Sequence, residues 1–123
     1  MKTIFTNGCF DIVHRGHIEL LKFCSTLGHV VVGLNSDSST KNIKGRSRPI
    51  NNQLDRELLL SSIKYVDEVI IFDETTPLRL INDLKPDIIV KGGDYKAQDV
   101  VGNHLCDVII FDYVKGYSTT KTI

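Results

Sequence analysis

The chain has 123 residues, room for one hydrophobic core but not two, and its 41% hydrophobic and 24% charged residues argue against disorder. Fifteen Lys and Arg balance fifteen Asp and Glu, so the basic surplus expected of a nucleic-acid or acidic-membrane partner is missing. The cysteines Cys9, Cys24 and Cys106 cannot all pair and fit no zinc spacing, and no apolar run nears the roughly 20 residues of a membrane span; a cytoplasmic protein with free thiols and without a leader is expected.

Thr3–Thr6 reads as a short apolar strand, Asn7 to Asp11 as a tight glycine turn, and Ile18 onward as an amphipathic helix. A strand that passes through a glycine turn into a helix start offers free backbone N–H groups and a positive dipole end to an anion. His14 and His17 are three residues apart, so their imidazoles share a face and can reach one bound phosphate, and Gly16 between them has no Cβ to obstruct it. Taken alone, the same residues also describe two surface histidines beside a helix start.

The apolar face of this first helix is expected to be Leu20, Phe23, Cys24 and Leu27, with Gly28 as its C-cap. A strand follows at Val30–Leu34. Residues 35–51 read as a long polar loop carrying Asp37, Lys41, Lys44, Arg46 and Arg48; loops of this length in compact domains are usually functional or disordered. The next helix is capped by Asn51 or Asn52 and buries Leu59, Ser62, Ile63 and Val66. Arg56 lies on it, flanked by Asp55 and Glu57, either as part of a charged outer face or as a phosphate ligand.

Glu68–Phe72 is the third strand. Pro77 opens the third helix with Leu80, Ile81 and Leu84 on its buried side, and Pro86 ends it. Strands at Asp87–Val90 and Val108–Phe111 complete the pattern. Strands alternating with helices predict an α/β fold, a Rossmann-like, doubly wound, parallel five-stranded sheet in a single domain over residues 1–123. Ligands of such sheets bind outside the carboxyl ends of the strands, where the strand order reverses. Lys91-Gly92-Gly93-Asp94-Tyr95 and Gly116-Tyr117-Ser118-Thr119-Thr120 fall at such ends. The paired glycines would let backbone approach a flat ligand, and the hydroxyls would cap a helix or cradle a second anion.

Gly8-Cys9-Phe10-Asp11-Ile12-Val13-His14-Arg15-Gly16-His17 resembles the signature of the cytidylyltransferase-like nucleotidyltransferases, the group with an HxGH motif. Asn35-Ser36-Asp37, Lys41 to Lys44, Lys91 to Tyr95 and Ser118 to Thr120 match further blocks in the family's order, over nearly the whole chain. Within the family the resemblance is nearest to the adenylyltransferase domains of bacterial ADP-heptose synthases, with glycerol-3-phosphate cytidylyltransferases as near relatives. An arginine-containing segment precedes the Ser-Thr-Thr block in those cytidylyl relatives. Here it is Asp112-Tyr113-Val114-Lys115.

The resemblance implies a nucleotidyltransferase in which His14, His17, Lys41 and Lys44 are catalytic. Gly8, Cys9, Phe10, Asp11, Gly16, Gly92, Gly93, Asp94, Ser118, Thr119 and Thr120 would bind nucleotide. Asp37, Arg46, Arg48 and Arg56 would meet the second substrate. It further implies Mg²⁺ carried by the nucleoside triphosphate with no metal ligand from the protein, a sugar-phosphate acceptor and a homodimer. ATP with heptose 1-phosphate is the expected pair. CTP with glycerol 3-phosphate and a non-catalytic nucleotide-binding module are the alternatives.

Overall fold

The computed structural model describes residues 1–112. Its strands are β1 (Thr3–Gly8), β2 (His29–Asn35), β3 (Glu68–Phe72), β4 (Ile88–Gly92) and β5 (Asp107–Phe111), and its helices α1 (Arg15–Ser25), α2 (Asp37–Lys44), α3 (Gln53–Ser61) and α4 (Leu78–Leu84). The five strands form one parallel sheet in the order β3-β2-β1-β4-β5, so the direction of winding reverses between β1 and β4. The predicted Rossmann-like sheet is therefore observed, with strand ends shifted by one or two residues.

β1, β2 and β4 are central, and their side chains are buried on both faces, hence the near-continuous apolar runs. One core holds Ile4, Val30, Val32 and Val90 under Leu21 and Cys24 of α1. The other holds Phe5, Val31 and Ile89 under Ile81 of α4. Each central strand thus feeds both layers, and its carboxyl end is fixed from both sides.

Three local expectations are corrected. First, Gly28 does not cap α1; Thr26, in helical conformation, does. Gly28 is needed for another reason, since a Cβ there would stand 2.2 Å from the Lys2 carbonyl oxygen at the β1 entry. Second, the predicted loop at 35–51 contains α2. The Ser36 hydroxyl caps it by accepting from the Ser39 N–H at 3.2 Å, and the helix buries Ser39 and Thr40. Its buried face is built of hydroxyls, among them Ser39 Oγ donating to Glu74 O at 2.6 Å, so no apolar stripe announced it. Third, α3 buries Arg56 and Leu60, while Leu59 is exposed. An arginine fills the first slot of the buried stripe, so reading apolar residues alone set the phase one position early, at Leu59 and the exposed Ser62. Asn52 is the cap, with Oδ1 accepting from the Asp55 N–H at 2.9 Å. Ile63 and Val66 reach the core from the turn beyond the helix.

No helix among the described residues is long and apolar enough to cross a membrane.

Candidate active site

At the reversal point the ends of β1 and β4 diverge, and the turns that follow them bound a crevice of about 810 Å³. The turn after β1 supplies one wall. Phe10 adopts φ +46°, a left-handed conformation rare for a bulky residue, and its buried ring packs on Gly8 and 5.1 Å from the His17 ring. A Cβ on Gly8 would lie 3.2 Å from that ring.

His14 and His17 then do two things at once. His14 is the N-cap of α1, and its Nδ1 accepts the Gly16 N–H at 3.0 Å. His17 occupies the N3 position, and its Nδ1 accepts the His14 N–H at 3.1 Å. This is a capping box built from imidazoles in place of the usual Ser/Thr and Glu. Backbone N–H groups can only donate, so both Nδ1 atoms are unprotonated and a neutral ring must carry its proton on Nε2. The rings stack with centroids 4.0 Å apart. Desolvation chiefly, then repulsion from His14 and Lys44, lowers the His17 pKa to about 4. At neutral pH His17 is an uncharged hydrogen-bond donor.

Asp11, buried at 7% exposure, ties the distant 48–51 segment to this turn. Its carboxylate accepts the Ile50 N–H at 2.8 Å, the Asn51 N–H at 2.9 Å and Arg48 Nη1 at 3.1 Å, and its own carbonyl accepts Asn51 Nδ2 at 2.8 Å. Burial pushes the Asp11 pKa up, but these donors together outweigh it and hold the carboxyl below its usual range.

Beneath the same turn lies Arg56, 1% exposed. Its Nη1 donates to Cys9 O and Asn35 O, each at 2.7 Å, Nε to Asn51 O at 2.9 Å, and Nη2 to Asp37 Oδ1 at 2.8 Å. One guanidinium thereby joins the end of β1, the end of β2, α2 and the segment before α3. Neither Arg56 nor Asp37 lines the crevice.

Of the residues singled out in the sequence, the crevice brings together Gly8, Cys9, Phe10, Asp11, His14, Gly16 and His17 with Lys44 and Arg48 on one side. Gly92, Gly93 and Asp94 stand on the other. Lys41 and Arg46 are exposed on and just after α2 and do not line it. Ser118, Thr119 and Thr120 lie outside the described residues. Gly93 leaves room for Asp112, whose side chain would stand 2.5 Å from an added Cβ.

One residue to which the sequence assigned no role also faces the crevice. Lys91, only 8% exposed, donates from Nζ to Asn7 O at 3.1 Å and Asn7 Oδ1 at 3.3 Å, and sits 4.5 Å from the Tyr95 ring centroid. The signal was present: a lysine in register with the fully buried run Ile88–Val90 must be matched by something inside. A second cavity of about 390 Å³ lies across the same turn and is also lined by Lys44, Lys91 and Tyr95, with Asn35, Thr75 and Thr76 on its far side.

The family model described as cytidylyltransferase-like matches residues 5–122. The chain belongs to the cytidylyltransferase-like family. Among curated relatives, bifunctional protein HldE of Campylobacter concisus (strain 13826) is 54% identical and that of Campylobacter jejuni (strain RM1221) 55%, each over 99% of this chain. The chain spans about a quarter of their length, 26% and 27%. Among solved structures, the lipopolysaccharide core biosynthesis protein from Thermoplasma volcanium is 33% identical with a TM-score of 0.74, over 91% of this chain and 95% of that one. The pantothenate synthetase of Thermus thermophilus, 17% identical over 91% of this chain and 56% of that one with a TM-score of 0.65, shares the fold.

Proposed function

We propose that this cytidylyltransferase-like domain transfers the adenylyl group of ATP to a sugar 1-phosphate, heptose 1-phosphate first, and releases pyrophosphate. The observation that carries the chemistry is the imidazole capping box at the β1–β4 reversal. It presents two Nε2–H donors and the N-terminus of α1 to one crevice, with Lys44 and Arg48 at its edge. For the substrates, support comes from the HldE relatives, from the lipopolysaccharide-core protein, and from the resemblance of the Lys91–Tyr95 block to ADP-heptose synthases.

An oxygen of the acceptor phosphate attacks the α-phosphorus in line, a P–O bond forms, and the bond to the β-phosphate breaks with pyrophosphate as leaving group. The attacking phosphate is ionised at neutral pH, so no general base is required and catalysis reduces to placement and charge stabilisation. In this reading His14 and His17 donate to the α- and β-phosphates. Neutral imidazoles suit that role, since a neutral donor is not held by a ground-state ion pair and its hydrogen bond strengthens as charge builds. Lys44, joined by Lys41 when α2 approaches, follows the charge onto pyrophosphate. Gly92, Gly93 and Asp94 face the base, and Ser118 to Thr120 would close over the phosphates. Of Arg46 and Arg48, only Arg48 lines the crevice and is placed to meet a phosphate in it.

No cluster of three or more His, Cys, Asp or Glu side chains fit to hold a metal occurs among the described residues, and Asp11 is committed to backbone donors. Mg²⁺ in this reading arrives as part of the substrate, on phosphate oxygens and water. ATP as donor places the reaction in the cytoplasm, and the balanced net charge leaves nucleic acid out of it. A homodimer would be served by Leu54 and Leu58, one turn apart on α3 and 66% and 67% exposed, beside Ile50 at 61%.

Titration calorimetry with ATP and CTP in the presence of Mg²⁺, followed by pyrophosphate release with a panel of sugar phosphates, tests the assignment. Tight CTP binding with none of ATP would move the activity to cytidylyl transfer. Binding without turnover on any sugar phosphate would leave a nucleotide-binding module.

A further inference from the structure

Two cations are buried around the Gly8–Asp11 turn, and their hydrogen bonds separate them. Arg56 is closed, its guanidinium taken up by three carbonyl oxygens and the Asp37 carboxylate. Lys91 is open. An ammonium has three protons to donate, and the acceptors at Lys91 Nζ are two neutral oxygens of a single residue, Asn7. Among the described residues no carboxylate forms an ion pair with it.

A charge buried without a counter-ion is costly unless something that binds there supplies one. The position of Lys91 says what that is. It stands in the wall common to the large crevice, which holds His14 and His17, and the smaller cavity bounded by Asn35, Thr75 and Thr76. Nucleotide in the first and acceptor in the second would meet at this wall.

We propose that Lys91 is a substrate-contacting cation at the junction of the two cavities, where its ammonium binds the α-phosphate of the nucleotide and the acceptor phosphate as they are joined. The identity of those phosphates rests on the adenylyl-transfer reading; the open, buried ammonium does not. The titratable and charged groups around it are Cys9 on the turn after β1, Asp94 and Tyr95 after β4, Lys44 ending α2, Asp99 and Asp112. Desolvation lowers the Lys91 pKa to about 8, with Asp94 and Cys9 partly opposing it. A phosphate in contact restores the charge. Near pH 8, therefore, ligand binding draws on the order of half a proton from solvent into the site.

The test uses the intact chain and its Lys91→Met and Lys91→Arg variants. Mg-ATP is titrated calorimetrically at pH 8 in two buffers of different ionisation enthalpy, and pyrophosphate release is measured with ATP and heptose 1-phosphate. The wild type should take up roughly half a proton more than either variant. Lys91→Met should lose 100-fold or more in kcat and about fivefold or more in ATP affinity at pH 8, the loss that this proton uptake requires, and Lys91→Arg should recover part of both. A folded Lys91→Met protein with near wild-type kcat would overturn the proposal, as would equal proton uptake in wild type and Lys91→Arg. The latter comparison decides the matter even if the Met variant does not fold. A wild type that releases no pyrophosphate would remove the adenylyl-transfer reading alone, because proton uptake on ATP binding still reports on Lys91.

Discussion

Replacing Arg56 with alanine separates two roles that the sequence left open for it, a clasp inside the protein and a ligand for the acceptor phosphate. In the structure its fork binds four acceptors at 2.7–2.9 Å. Two of them, the carbonyls of Cys9 and Asn35, belong to residues only 9% and 3% exposed and cannot turn to water once the guanidinium is gone. Each such orphan costs about 1–3 kcal/mol, and emptying a buried charged network typically costs about 3–5 in all. Against a total stability of roughly 6–18 kcal/mol for a chain of this length, that is a large fraction. At about 3–5 °C of melting temperature per kcal/mol, Arg56→Ala should melt roughly 10–20 °C below wild type by calorimetry or circular dichroism. Arg56→Lys should recover little, because one ammonium cannot span the ends of β1 and β2, α2 and Asn51 together. A variant that melts within about 3 °C of wild type yet loses affinity for the sugar phosphate would refute the clasp and restore a direct substrate contact.

His17→Ala should lower turnover by two or more orders of magnitude in a pyrophosphate-release assay while moving ATP affinity far less. It also deletes half of the capping box, so a stability loss of about 1 kcal/mol should accompany it; retained turnover would show that the ring is structural only. The lowered pKa of His17, about 4 against an ordinary 6.5, means that between those values the unfolded chain binds a proton that the native one refuses. Stability should therefore fall as pH drops through that window, and urea midpoints for His17→Ala should fall less steeply there than for wild type. Lys44→Ala should raise the apparent ATP requirement, with the wild-type advantage shrinking as salt is added; a salt-independent difference would exclude a charge contact to phosphate. Gly28→Ala drives a Cβ to 2.2 Å from the Lys2 carbonyl and should be markedly destabilising in thermal melts, whereas a mild effect would mean that the α1–β2 connection yields easily.

Much of this molecule was legible because its sheet is parallel and buried. Runs such as Val30–Leu34 and Ile88–Val90 have no outward face to break the apolar pattern, and each chemically informative block falls where such a run stops. The crevice followed from that placement together with His14, His17 and the paired glycines. What escaped were polar groups used in the interior. The helix α2 hides hydroxyls, α3 hides an arginine, and β4 buries a lysine one residue before its end. Pattern reading scores Ser39, Arg56 and Lys91 as solvent-facing, and only their partners (Glu74 O, the carbonyls of Cys9 and Asn35, and Asn7) show otherwise. Lys41 and Arg46 are the converse: chemically apt side chains that point outside the crevice in this conformation.

The imidazole capping box limits which substitutions at the site can be interpreted. His14 caps α1 with the same ring that we propose meets the ligand, so a change made to remove that contact also frays the helix unless the new side chain caps. Asparagine at position 14 keeps an acceptor for the Gly16 N–H but brings no imidazole Nε2–H, which makes it the substitution that separates anchoring from chemistry. Alanine there confounds the two. Drift at this pair is constrained in the same way: the residues best at ending a helix are too short to reach the phosphate, and a longer donor that reaches it does not end the helix. Replacing either imidazole removes one capping bond together with one Nε2–H donor.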